Sequence, residues 1–309
     1  MRRIRHPHFA VVIVALLALA GCVELTAGQT AGLFHAAAPS FDEHWDYDMA
    51  GQAAPGAIMQ LEGVLHVIPD NSDLLLEASK SYVGYTYGWV EDGMERAEAR
   101  GDMDEADHLR RRARWLYVRA RDLGKRLLRQ EDDGLDAALA SGIDGFHRWL
   151  EENFDDADDA PALFWTGYAW GSAINVSLDD ASMVADLAFA KALVERSVAL
   201  DEGYYNAAGL TFLGYAASAV SPQLGGDPEA GRRFFERALT VTNRRALQVQ
   251  LSYARTYAVI TANRELFTTL LSEVREAPDA LPSARMANAV AKRRAAFYLS
   301  RIDELIPPD

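Results

Sequence analysis

Apolar positions recur at helical spacing along most of this chain, most regularly between residues 109 and 127. Leu109, Ala113, Leu116, Ala120, Leu123 and Leu127 follow one another at steps of four and three, which puts them on one face of a helix. Arg110, Arg111, Arg114, Arg121 and Arg129 fall mostly elsewhere, so the pattern predicts a helix with one buried stripe and a solvated face laced with salt bridges. Val, Ile and Thr nowhere alternate with polar residues between hairpin turns, so no strand-rich region competes. From Ser283 to Ile306 helix continues, anchored by Met286, Val290, Phe297 and Ile302 and stopped by Pro307-Pro308. That last stretch is expected to cap the stack, and the fold is expected to be all-α.

The helices come in pairs separated by turns carrying Asp, Pro or Gly. Leu210, Leu213-Gly214 and Ala217 precede a break from Ser221-Pro222 to Gly226, and Gly231, Phe235, Ala238 and Leu239 follow it. These positions resemble the tetratricopeptide pattern, in which a small residue lets two helices approach and a later aromatic fills the groove between them. Leu163, Gly167 and Trp170, followed by Ala190, Val194, Ser197 and the turn Leu200-Asp201-Glu202, form a more stretched copy. Ile68-Pro69-Asp70-Asn71 reads as the turn between two further units, and Asp227-Pro228-Glu229 as a helix start with Asp227 as N-cap. About three or four degenerate units bury a shared core where one pair does not. The architecture expected is a tetratricopeptide-like helical repeat, an α-solenoid.

The first residues follow another rule. Arg2, Arg3 and Arg5 precede an apolar run from Phe9 to Leu19 that is too short for a permanent membrane span, and Leu19-Ala20-Gly21-Cys22 closes it. This resembles the lipobox of bacterial lipoproteins. The resemblance implies a signal peptide over residues 1–21, removed on maturation, and a lipidated Cys22 whose acyl chains anchor the protein stably. Val23 is not the Asp that retains lipoproteins at the inner membrane in enteric-type sorting, which favours the outer membrane from the periplasmic side. Residues 22–55, rich in Ala, Gly, Ser and Thr without sustained periodicity, read as lipidated N-terminus and tether, with His44, Trp45 and Tyr47 packing onto the body. Residues 56–309 are left for the helical-repeat domain.

Composition narrows the function classes. Cys22 is the only cysteine, so no internal disulfide forms and the fold must rest on a packed core, for which 309 residues that are 50% apolar supply the material. The formal charge of -14 becomes -17 without the signal segment, and that excess of acid argues against nucleic acid and against anionic membrane surfaces apart from the acyl anchor. Beyond the signal segment no histidine lies within four residues of another, and no phosphate loop, nucleophile elbow or zinc-type cluster is present. The acidic run from Glu151 to Asp159 lacks the central glycine and distal glutamate of a calcium loop, and reads as an exposed loop facing the helix that enters at Pro161. No catalytic residue, metal ligand or cofactor is expected.

Two aromatic runs carry more. Tyr82 to Asp92 sets small residues between aromatics, and Leu163 to Gly171 does the same. On a helix such a run is apolar on nearly every side, so it is either packed at the centre of the protein or lines a cavity. In the second case Tyr85, Trp89, Trp165, Tyr168 and Trp170 supply apolar surface, while Glu91 and Asn175 orient an organic ligand.

Those runs, with Pro222 to Asp227 and the stretch from Leu251 to Leu266 around Tyr253, Tyr257 and Ala258, resemble the TatT proteins, the T component associated with tripartite ATP-independent periplasmic (TRAP) transporters. Tyr87-Gly88-Trp89-Val90-Glu91-Asp92, the run Phe164 to Gly171, Leu224-Gly225-Gly226-Asp227-Pro228 and Ala291 to Ala295 carry the match, which spans about Asp48 to Ile306. The resemblance implies a non-enzymatic periplasmic lipoprotein of paired helices that contacts the substrate-binding protein of a TRAP system, self-associates as a trimer and forms a hydrophobic passage. A stand-alone carrier of hydrophobic ligands and a structural envelope lipoprotein remain as alternatives.

Overall fold

Residues 23–219 and 226–308 are described in a computed structural model, and every regular element among them is helical. The expected signal segment, Cys22 and most of the turn at Pro222 lie outside the described residues. After a first helix, α1, over residues 23–37, the chain forms α2 (Pro39–Asp42), α3 (Tyr47–Val67), α4 (Ser72–Tyr85), α5 (Asp92–Ala99) and the long α6 (Met103–Glu131). Then come α7 (Leu135–Ala140), α8 (Gly142–Asn153), α9 (Ala160–Asn175), α10 (Ala181–Ala185), α11 (Leu187–Leu200) and α12 (Tyr204–Ser218). The last third holds α13 (Pro228–Val241), α14 (Leu247–Tyr253), α15 (Arg264–Glu276), α16 (Arg285–Leu299) and α17 (Ile302–Leu305).

Local chemistry sets many of these boundaries. Asp46, Asn71, Asp102, Asp180, Asp227 and Asn263 each place a side-chain oxygen on a backbone N–H of the first turn, satisfying donors that a helix start leaves free. Pro228 takes the first helical position of α13, as the sequence suggested. In the acidic run the Asp156 and Asp159 side chains accept from backbone N–H groups around a single tight turn just before α9.

The paired-helix positions do what their sizes require. A Cβ on Gly167 of α9 would lie 2.7 Å from Val194 Cγ2 and 2.8 Å from the Ala190 carbonyl of α11, so only glycine permits that approach. Gly214 of α12 stands in the same way against the ring of Phe235 in α13. On α6, Ala113, Ala120, Leu123 and Leu127 are buried, while Arg110, Arg114 and Arg129 pair with Glu98, Asp180 and Asp136. The apolar interior runs through successive pairs, from Leu61, Leu74 and Leu123 through Phe164 and Val194 to Phe235, Leu271 and Ala295.

Three expectations are corrected. Residues 23–37, read as tether, are helical: Ala31 is fully buried in the cluster of Leu61, Leu65 and Leu74, with Phe34 beside it, and His35 Nδ1 lies 3.0 Å from Glu77. Gly28, Gly32, Thr26 and Thr30 make this run a weak helix former by itself, and tertiary packing supplies the partner surface that its weak periodicity concealed. Tyr47 packs inward, its hydroxyl donating to the Gly88 carbonyl at 2.7 Å, but Trp45 does not and stays 72% exposed. Finally, α16 does not sit as an outer cap. It returns to the first third of the chain, where Arg285 donates to the Glu43 carbonyl at 3.0 Å and Arg293 reaches Asp92 at 3.0 Å.

Candidate functional site

Between these helices lies a cavity of about 930 Å³. Its walls come from α1 to α6, α9, α12, α14 and α16 and from two irregular turns. Thr86–Glu91 joins α4 to α5 as a π-helical turn in one continuous helix, and Ala254–Ala258 extends α14 in the same manner. Such turns widen a helix by one residue per turn and recur at functional sites. Both open onto the cavity, the first with Tyr87, Trp89 and Glu91, the second with Arg255 and Thr256. A hydrogen bond from Tyr87 Oη to Gln248 Oε1, 3.1 Å, ties the two helices together.

Of the seven side chains singled out in the sequence, Trp89, Glu91, Trp165, Tyr168 and Asn175 share this cavity. Trp89 fits because Gly51 of α3 has no side chain: a Cβ there would collide with the indole, whose Nε1 donates to the Tyr47 carbonyl at 3.3 Å. Trp165, Tyr168 and Asn175 lie at i, i+3 and i+10 of α9 and so share one face. Trp165 donates to the Tyr204 hydroxyl at 2.9 Å, and Asn175 Oδ1 accepts from Tyr215 at 2.7 Å. Burial pushes the Tyr215 hydroxyl up to about 12 and raises Tyr168 as well, so both remain neutral donors.

Tyr85 and Trp170 do not line the cavity. Tyr85 stands on the outer side of α4, stacked on Trp89 with centroids 6.1 Å apart and accepting from Arg112 at 3.0 Å. Trp170 is buried on the far side of α9 against Phe189, with Lys125 Nζ 3.5 Å from its ring centroid. Two or five residues along a helix turn a side chain well away from its neighbour, and the all-round apolar sequence of these runs hid which face met the cavity.

Beyond Glu91 and Asn175, the polar part of the wall was not foreseen. Arg294, 2% exposed, lies over the Tyr87 ring at 4.3 Å, with Nη2 3.3 Å from Glu95 and 3.7 Å from Glu91. Glu91 also accepts from Tyr117, and Glu95 accepts from Tyr298 at 2.6 Å. Burial raises the Glu91 carboxyl, and Arg294 and the Tyr117 hydrogen bond oppose it. For the adjacent Asp92, burial is outweighed by hydrogen bonds from Arg96 and Arg293, which hold its carboxyl low. One signal was available: Arg294 falls among Val290, Ala291, Ala295 and Tyr298, where helical spacing puts a lone cation on an apolar face. Tyr205, another wall residue missed, sits in three successive left-handed residues, Tyr205, Asn206 and Ala207, with φ of 46°, 58° and 58°. That uncommon backbone turns its ring edge-on to Trp165, 4.8 Å between centroids, while its hydroxyl donates to Asp42 Oδ1 at 2.9 Å.

Among the described residues no group of three or more His, Cys, Asp or Glu side chains converges as a metal site, and no helix is long and apolar enough to cross a membrane. An all-helical body of packed pairs around an aromatic chamber defines the class. The family model described as TRAP transporter T-component matches residues 43–306, and the chain belongs to that family. A comparison with curated proteins found no match. Membership makes the protein a component of TRAP transport, consistent with a membrane-associated or periplasmic location.

Proposed function

We propose that the protein is a lipid-anchored periplasmic scaffold that associates with the substrate-binding protein of a TRAP transporter and assists solute uptake, holding an apolar solute in the chamber between its helices. Family membership supports the transport role, and the observation that carries the solute is the cavity of about 930 Å³ edged by Trp89, Trp165, Tyr168 and Phe212. That volume lies within the roughly 300–1,000 Å³ typical of organic-ligand sites. Stacked helix pairs bind partners over extended surfaces, which suits the scaffold role. The lipid anchor at Cys22 and the trimer remain part of this reading. The cavity alone also fits a stand-alone hydrophobic carrier.

Crosslinking in membranes that contain the cognate substrate-binding protein separates the two. Recovery of that protein with the wild-type chain, and release of the chain to the soluble fraction by Cys22→Ala, is the expected result. Absence of the binding protein together with a co-purified apolar molecule would leave the carrier.

A further inference from the structure

The described chain directly after Cys22 is docked helix, not tether. A flexible run over residues 22–55 would give the body a leash of about 30 Å. Instead α1 begins at Val23 and lies along the body, beside α4 and against the direction of α3. Glu24 and Gly28 share a shallow groove with Val67 to Asn71 of the α3–α4 turn, Ala31 packs in the cluster of Leu61 and Leu74, and His35 lies 3.0 Å from Glu77. The turn is braced by the end of α6, where Arg126 donates to the Pro69 carbonyl and Gln130 to the Asp70 carbonyl at 2.8 Å. Val23 and Leu25 at the start of α1 and Val67 at the end of α3 stay exposed.

One peptide unit, about 3.8 Å between Cα atoms, joins Cys22 to this packed helix. Acyl chains on Cys22, buried in a bilayer, therefore hold the first turn of α1 at the lipid interface, and the α3–α4 turn with it. We propose that Val23, Leu25 and Val67 form a face that rests on the lipid surface, so that the anchor sets the orientation of the body as well as its location. The three aliphatic side chains enter the boundary between headgroups and acyl chains, and the Tyr47 end of α3 points away from the bilayer. This rests on the reading of Cys22 as the acylated residue. Glu24 and Asp70 on the same face disfavour anionic headgroups, so the surface that fits is zwitterionic. Met49 and Val67 are both exposed and stand 18 residues apart on α3, about 27 Å of helix, which makes them a ruler of height above the membrane.

The test reads that height in the full mature protein, acylated at Cys22 and reconstituted in phosphatidylcholine vesicles with and without lipid that carries a nitroxide near the headgroup. Acylation leaves no free thiol, so Val67→Cys and Met49→Cys each take a single environment-sensitive NBD label. The label on Val67→Cys should be quenched at least about threefold more than the label on Met49→Cys. Adding Ala31→Asp puts a charge into the contact of α1 with Leu61 and Leu74, and should bring the two labels to one level by freeing α1. Equal quenching with α1 docked, stronger quenching at Met49→Cys, or a difference that survives Ala31→Asp overturns the proposal while the chain stays on the vesicles. A wild-type chain whose Cys22 is unmodified by mass spectrometry and which stays out of the vesicles fails the anchor reading itself, and the orientation with it.

Discussion

Tyr168 and Trp170 stand two residues apart on α9 and serve opposite sides of it, Tyr168 on the cavity wall and Trp170 in the core beneath Lys125. The separation follows from about 100° of helical rotation per residue, and it gives the two rings different work.

Truncating each tells the sides apart. Trp170→Ala removes a fully buried indole and should cost about 3–5 kcal/mol, read as a lower urea midpoint, with Nile red affinity unchanged under folding conditions. Tyr168→Ala should weaken or strengthen dye binding at least about threefold by reshaping the wall while costing less stability than Trp170→Ala. Equal effects of both substitutions on dye affinity would contradict the assignment of faces.

Arg294 holds two carboxylates in a dry setting, and removing it strands them. Arg294→Met should destabilise by about 3–5 kcal/mol in denaturant unfolding. Adding Glu91→Gln to that variant removes one of the stranded charges and should recover part of the loss, because the two sites share one network. Additive losses would show that the salt bridge contributes through shape alone.

Lys125 makes stability pH-dependent. Burial, with Arg121 nearby, lowers its ammonium from the ordinary 10.5 to about 8. The folded chain therefore releases that proton near pH 8, whereas the unfolded chain keeps it to about 10.5, so between those values the unfolded state binds more protons and stability rises with pH. In Lys125→Met that rise is absent, and the wild type should gain on the variant as pH goes from about 8 to about 10. Urea midpoints of both proteins at the two pH values check it; parallel changes would place the proton elsewhere.

Much of this molecule was legible as sequence because local rules wrote it. Helical period predicted α6 and its buried stripe, capping chemistry placed the start at Asp227, Ile68 to Asn71 was legible as the turn between two helices, and small residues at Gly167 and Gly214 marked helices that touch. The family resemblance rested on short runs, and the match over residues 43–306 agrees with it. The helix over residues 23–37 was not legible, because its fixing partners, Leu61 and Leu74, lie in other helices.

The amino-acid sequence by itself determined that the chain is helical, paired and aromatic at its centre, since each property depends on residues within a turn or two of one another. Only the tertiary structure decided which faces meet. Tyr87, Arg255 and Arg294 belong to helical stretches far apart in the chain, and they share one cavity because α16 folds back on the first third of the chain. The physical reason is that periodicity fixes the angle of a side chain about its own helix axis, whereas the neighbour it turns toward is set by long-range packing.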